Sequence, residues 1–184
     1  MNEPFFFGYG SLVNRATHGF TTAFPGRLRG WRRVWRQTRL REVAMLTVEP
    51  AEGVQIDGLV AAVPGADWTA LDEREGAYDR LGATHQTDHS GPEAAEVHLY
   101  SIPDLHRDSD ALHPIRLSYL DVVIQGYLRE FGQAGAERFF ETTVGWDAPV
   151  MNDRSDPIYP RHQPLTPTET DFVDANLRNL SAEL

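Results

Sequence analysis

Pro4-Phe5-Phe6-Phe7-Gly8-Tyr9-Gly10-Ser11-Leu12 is the stretch from which the rest of the chain is best read. Its aromatic run, flanked by glycine, predicts a buried strand over residues 4–9. The two glycines around Tyr9 then turn that strand sharply. Glycine adopts positive φ freely and leaves backbone N–H groups open to a ligand. The turn is not a dinucleotide fingerprint, whose third glycine would fall at Val13, and a phosphate loop would need a lysine. Ser11 is not in a nucleophile elbow either, because Leu12-Val13 breaks the Gly-x-Ser-x-Gly pattern. Taken alone, so short a glycine pattern is more often a plain turn closing a strand.

About sixty residues later stands Trp68-Thr-Ala-Leu-Asp-Glu-Arg-Glu75-Gly76-Ala-Tyr78. Asp67 can cap a short helix from Trp68 to about Glu75, and Gly76 stops it. Such a helix ends by presenting the Glu75 carboxylate. On base rates that carboxylate is solvated and idle, as are Asp72 and Glu73, and Arg74 can pair with any of them. An acid beside a cluster of backbone donors would nonetheless suffice for acyl transfer within one small molecule.

Outward from these two segments the pattern is strands first, helices later. Val43–Val48 reads as a strand, and Val54, Ile56, Gly58, Val60 and Ala62 share one face of another, bent at Gly58. Ala95, Val97, Leu99 and Ser101 repeat the alternation, while Pro64-Gly65 and Gly91-Pro92 mark turns. Ser118, with Asp121 three residues on and Leu117 and Val122 as a staple, predicts a helix start. Leu120, Val123, Ile124, Tyr127, Leu128 and Phe131 continue it at helical spacing until Gly132. A second helix spans about Ala134 to Thr143. Residues 145–166 are rich in proline and aspartate and predict an irregular wrapping segment. Thr166-Pro167-Thr168-Glu169 then opens a C-terminal helix with Phe172, Val173, Asn176, Leu177 and Leu180 on one face. The class is α+β, and 184 residues suit a single domain, 1–184, in which 145–184 forms the wrapping segment and last helix.

Composition removes several chemistries. With no cysteine there is no disulfide, thiolate metal site or cysteine nucleophile. All 17 basic residues are arginine, so lysine Schiff-base chemistry is excluded. A net charge of -10 argues against phosphate-driven nucleic-acid binding and reads more simply as solubility. Arg27–Arg41 holds seven arginines and no acid. An RNA-binding stripe with Trp31 and Trp35 interleaved is one reading. A strand with outward arginines over tryptophans, balanced by acids elsewhere, is the favoured one. His85, His89 and Asp88 give weak metal-site spacing in a loop. No apolar stretch reaches membrane-span length and the N-terminus has no secretory pattern, so a cytoplasmic protein without membrane attachment is expected by default.

Together Tyr9-Gly10-Ser11-Leu12 and Leu71-Asp72-Glu73-Arg74-Glu75-Gly76 resemble the γ-glutamylcyclotransferase superfamily, which includes the AIG2-like and ChaC-like proteins. Leu117-Ser118-Tyr119-Leu120 and Tyr159-Pro160-Arg161 look similar as well. The resemblance implies a small mixed β-barrel flanked by helices, with a cavity at one barrel end. It implies that Gly8, Tyr9, Gly10, Ser11 and Leu12 form a substrate loop for a γ-glutamyl group. Glu75 would be the catalytic acid/base, and Tyr78 would match a substrate-binding tyrosine at a shorter spacing than in some relatives. The implied activity is a lyase or acyltransferase reaction, an intramolecular aminolysis giving 5-oxoproline and a free amine, with no metal and no cofactor. A non-catalytic binding protein on the same fold is the alternative. Glutathione, γ-glutamyl amino acids and γ-glutamyl polyamines share the recognised half, so the amine is open, as is the oligomeric state. Specificity would lie in the loops near Thr84–Pro92 and Gly145–Gln163.

Overall fold

A computed structural model describes residues 2–92 and 96–183. The strand Phe5–Gly8 (β1) lies inside a mixed sheet. It pairs antiparallel with Met45–Ala62 (β3), with Phe7 opposite Val60, and parallel with Val97–Ser101 (β6), with Phe7 opposite Leu99. The phenylalanine run is explained by burial on both faces. Phe5 and Phe7 enter the main core with Leu28, Val60, Leu99 and Tyr127, while Phe6 enters a second cluster with Leu12, Ala61, Leu71 and Tyr100. A strand covered on both sides reads as a continuous apolar run, not as an alternation.

Ala23–Arg36 (β2) pairs with β3 along a long hairpin. Asp79–Gly82 (β4) pairs with β6 at one edge, and Thr87–His89 (β5) pairs with β2 at the other. The order is β4-β6-β1-β3-β2-β5, and the sheet does not close. The expected mixed α+β architecture is present, but in place of the expected barrel there is an open sheet. The β2–β3 hairpin is irregular, but not at Gly58, where the sequence predicts a bend and where the pairing with Gly26 stays in register. Between Arg29 opposite Gln55 and Trp31 opposite Pro50 the register shifts, and Gly30 (φ 78°) and Gly53 (φ 75°) take the left-handed backbone there. The two strands expected over 43–48 and 54–62 are therefore the halves of β3 on either side of this irregularity. Ala95, expected in the alternating strand, lies outside the described residues.

The arginine-rich stretch is mostly strand, and its charges are largely internal to the fold. Arg27 pairs with Asp57 at 3.1 Å, Arg29 with Asp88 at 3.2 Å, and Arg32 and Arg36 both reach Glu49 at 2.6 Å. Two of the arginines expected to face outward do not. Arg36 is buried and also binds Asp104 at 2.9 Å. Arg33 is fully buried and stacks over Phe139 and Tyr127, its guanidinium carbon 4.7 and 5.2 Å from the ring centroids. It donates to the Asp57 carbonyl (3.2 Å) and to the Thr142 and Thr143 hydroxyls (3.1 and 3.2 Å). A planar, weakly hydrated guanidinium tolerates such a site better than an ammonium would.

Thr69–Arg74 (α1) starts with the Asp67 carboxylate accepting the Thr69 amide at 3.1 Å and ends on Glu75. A two-residue pairing joins Ile115–Arg116 (β7) to Val150–Met151 (β9). The long helix Leu117–Thr142 (α2) follows and is interrupted at Gly132 (φ 67°, ψ -172°), where the sequence predicts a break. It runs into Thr143–Val144 (β8), which adds to β2. The start of α2 differs from expectation. Ser118 is not the cap. Arg116 precedes the helix, and the Asp153 carboxylate takes the Ser118 amide (2.7 Å) and hydroxyl (2.5 Å), and also the Ile158 amide (3.0 Å). Asp121, freed from capping, instead forms a two-pronged pair with Arg154 at 2.7 and 2.8 Å. The distant carboxylate serves three donors at once, two of them on Ser118, while the local one is taken up by Arg154. In Pro167–Glu183 (α3) the local rule holds. The Thr166 hydroxyl accepts the Glu169 amide (3.2 Å), and the Glu169 carboxylate accepts the Thr166 amide (2.8 Å).

Asp153 thus staples the segment 150–161 to the start of α2. Burial alone raises its pKa, and the donated hydrogen bonds outweigh that, so its carboxyl sits below the ordinary value. A depressed carboxylate contributes stability above its unfolded pKa and loses it as pH falls through the folded one. Asp153→Asn is expected to cost roughly 1–3 kcal/mol at neutral pH. Urea melts of wild type and variant should differ at pH 7 and converge once the pH is well below about 3.9.

Candidate active site

The turn after β1 is locked by what packs against it. The first hydrogen bond of the turn is Val13 N–H to the Gly10 carbonyl at 3.0 Å, followed by Asn14 N–H to Ser11 at 3.1 Å. The amides of Gly10, Ser11 and Leu12 therefore precede the internal pairing of the turn. Two glycines here have steric causes. A Cβ on Gly8 would sit 2.6 Å from the Leu12 Cβ, and one on Gly10 would sit 2.6 Å from the Tyr119 Oη. A third close approach is made from α2, where a Cβ on Gly126 would lie 2.7 Å from the Asn14 amide nitrogen. The Asn14 side chain donates back to the α2 backbone at Val122 (2.9 Å), so helix and turn are fastened together.

Glu75 sits at the other side of the same space. It follows α1, its amide donating to Leu71 and its carbonyl accepting from Tyr78. Its side chain is 16% exposed and its neighbour Arg74 only 9%. The sequence left Arg74 free to pair with any of three acids. In the fold its Nε meets Glu75 at 3.3 Å, while its other nitrogens donate to the Ser11 hydroxyl (3.2 Å) and the Thr17 carbonyl (2.9 Å). One guanidinium thereby connects the acid to the turn. Burial raises the Glu75 pKa, against the pull of Arg74, Arg161 and Arg41.

A cavity of about 380 Å³ opens between these parts. That is within the range for small-molecule sites. Ser11 borders it from the turn, residues 43–46 from the β3 side, Glu73–Glu75 and Ala77–Tyr78 from α1 and its exit, Arg116 and Tyr119 from the start of α2, and residues 159–161 from the wrapping segment, with Arg41 at the rim. A smaller space of about 30 Å³ adjoins it and is bordered by residues 7–12, Leu46, Glu75, Tyr78, Tyr100 and Tyr119.

The residues singled out from sequence are thus gathered around one space, in unequal positions. Ser11, Glu75 and Tyr78 border both cavities, while Gly8, Tyr9, Gly10 and Leu12 border only the smaller one. The Tyr9 phenol is tied up, donating to the Tyr100 carbonyl at 2.6 Å, and the Tyr78 phenol donates to the Leu46 carbonyl at 2.9 Å. Burial pushes both phenols well above their ordinary pKa, as it does Tyr119. Of the two loops expected to set specificity, the second reaches the cavity at Tyr159–Arg161, and residues 84–92 do not border it. Instead β5 extends the far edge of the sheet, with His89 stacked on Phe5 and accepting the Gly91 amide. Arg41, Arg74, Arg116, Tyr119 and Tyr159 were not identified as site residues from sequence. Tyr119 and Tyr159, packed edge to face at 5.0 Å, lie in segments noted for their resemblance. Arg116 carries no local signal, and Arg41 stands out in the sequence only as the end of the arginine run.

The family model for γ-glutamyl cyclotransferase, AIG2-like, matches residues 6–118. No curated protein sequence matches the chain. Among solved structures, YkqA from Bacillus subtilis is 16% identical with a TM-score of 0.59, covering 79% of this chain and 57% of its own. The chain therefore spans little more than half the length of that protein. A structure described as a γ-glutamyl cyclotransferase is 15% identical, TM-score 0.56, covering 95% of this chain and 99% of its own. An uncharacterized protein from Homo sapiens is 16% identical, TM-score 0.57, with the same coverage. At these identities the likeness is one of fold.

Proposed function

The chain belongs to the γ-glutamyl cyclotransferase, AIG2-like family, and from that premise we propose that it cyclises a γ-glutamyl group to 5-oxoproline with release of the attached amine. The observation that carries this reading is the shared cavity. A mostly buried carboxylate of raised pKa and the amide-rich turn after β1 border the same space, bridged by Arg74.

The chemistry is an internal aminolysis. The α-nitrogen of the γ-glutamyl group attacks its own γ-carbonyl carbon, the lactam C–N bond forms, and the bond to the departing amine breaks. No water is consumed. The α-nitrogen begins as an ammonium with three protons and ends as a lactam with one, while the departing nitrogen gains two and leaves as an ammonium. A group that accepts and returns protons at both nitrogens is what the reaction needs, and in this reading Glu75 is that group. An ordinary glutamate is a feeble base, and burial brings it closer to neutrality. The amides of Gly10 to Leu12 supply donors for the substrate carboxylate or for charge developing on the γ-oxygen. The walls hold the chain folded on itself, where intramolecular attack has its large advantage.

The direct test is incubation with γ-glutamyl-alanine, γ-glutamyl-putrescine and glutathione, with 5-oxoproline measured by mass spectrometry. Turnover of at least one supports the reading. Saturable binding without 5-oxoproline from any of them would point to a binding protein on this fold.

A further inference from the structure

We infer that Arg74 is the positioning residue of the site: one planar guanidinium, laid across Glu75, Ser11 and Thr17, fixes where the acid stands relative to the turn after β1. This rests on the reading above and adds to it the group that keeps acid and turn at a set separation.

Among the described residues Arg74 alone tethers the Glu75 carboxylate, and no other group hydrogen-bonds or ion-pairs with it. A glutamate side chain is long and regains much rotational freedom once untethered. Neighbours along a helix do not face each other, so Arg74 would ordinarily point away from Glu75. Here α1 stops at Arg74, and Glu75 leaves it with φ -98° and ψ 25°. The two side chains converge, and the Arg74 Nε meets the Glu75 Oε1 at 3.3 Å.

The rest of the guanidinium lies on the folded turn. Nη1 donates to the Thr17 carbonyl at 2.9 Å, and Nη2 to the Ser11 and Thr17 hydroxyls, both at 3.2 Å. The Thr17 hydroxyl is itself shared between the Ser11 and Asn14 carbonyls, at 2.9 and 3.0 Å. All three nitrogens are thus committed to one place. A guanidinium is a rigid fork that spans several acceptors at fixed separations, whereas an ammonium on a flexible stem is a point charge.

The same contact acts on the charge of Glu75. Burial raises its pKa, and Arg74 opposes that ahead of Arg161 and Arg41. The other groups facing it are the phenols of Tyr9, Tyr78, Tyr100 and Tyr119, which burial keeps protonated. Glu73 and Arg116 border the same cavity. Position and charge can be separated experimentally, because lysine at position 74 restores the charge and not the fork.

The test compares wild type with Arg74→Gln, Arg74→Lys and Thr17→Val. It reads kcat and KM for γ-glutamyl-alanine across pH, melting temperature, and the titration of the Glu75 side-chain carbon by NMR, assigned by its loss in Glu75→Gln. In Arg74→Gln, kcat and kcat/KM should fall together by about tenfold to a hundredfold, the scale of a misplaced catalytic group. The Glu75 midpoint should rise, since its nearest cation is gone. In Arg74→Lys the midpoint should return toward wild type while kcat stays at least about tenfold low. Thr17→Val, which spares the Arg74–Glu75 pair, should lower the melting temperature without moving the midpoint. Full kcat in Arg74→Lys, or a loss in Arg74→Gln confined to KM and melting temperature with an unmoved midpoint, would overturn the inference and leave cyclisation standing. Should Arg74→Gln not fold, kcat of Arg74→Lys decides alone. A raised midpoint in Arg74→Gln, restored in Arg74→Lys, with no 5-oxoproline from wild type would overturn cyclisation and leave the Arg74 tether standing.

Discussion

Glu75→Gln is expected to reduce 5-oxoproline formation by roughly a hundredfold to ten-thousandfold, the span of a lost general acid–base group, while leaving the fold intact. Stability should move the other way. Burial raises the Glu75 pKa, so the folded protein holds a proton there more tightly than the unfolded chain. A carboxyl of this kind contributes most stability below its unfolded pKa, and that contribution is lost as pH rises through the folded one. At pH 7 to 8 wild type bears the cost of a charged Glu75 in a largely dry place, and glutamine does not. The variant should therefore melt at the same temperature as wild type or higher at neutral pH, with the gap closing as pH falls below the raised pKa. Activity of wild type should decline over that same interval, because the base becomes protonated. Thermal melts and kcat/KM measured across pH 4 to 8 check both halves. Wild-type activity in the variant would remove Glu75 from the mechanism.

Gly58→Ala is expected to be the most damaging small change in the sheet. A Cβ there would stand 2.4 Å from the Phe7 Cζ and 2.5 Å from the Gly8 carbonyl oxygen. The oxygen belongs to backbone inside the sheet and the ring is fully buried, so neither can retreat cheaply. Overpacking of this sort costs about 3 kcal/mol at the upper end of the usual range. For a chain of this size that corresponds to a fall in Tm of roughly 6–12 °C. The damage should spread to catalysis, since Gly8 is the residue from which the turn departs. A calorimetric melt checks the first claim, and residual activity at a temperature where the variant stays folded checks the second. By contrast Gly82→Ala, which meets open space, serves as the control.

Gly58 shows where sequence reading stops. Period-two alternation around it was enough to predict the strand, while the bend expected at Gly58 is not there and the register shifts instead near Gly30 and Gly53. The reason for glycine is instead the Phe7 ring lying across the position, and a contact fifty residues distant leaves no mark on local pattern. The same holds at Ser118. The sequence presents a helix start with Asp121 at the capping distance, and local propensity yields to Asp153, which serves three donors from another segment. Where no distant competitor intervenes, as at Thr166 and Glu169 or at the Gly132 break, the local expectation and the fold agree.

By itself the sequence determined the chemistry that is possible: no thiol, no lysine amine, a buried aromatic strand breaking into a glycine turn, and a helix ending on an acid. These are properties of residue types and short spacings, which a linear reading can register. Only the tertiary structure decided that turn and acid share a space, that Arg74 connects them, that the sheet stays open, and that arginines from the rim loop, the start of α2 and the wrapping segment meet at one cavity. The reason is physical. Burial and electrostatic potential depend on distances through space, and residues 11, 41, 75, 116 and 161 become neighbours only once the β2–β3 hairpin forms and α2 packs against the turn.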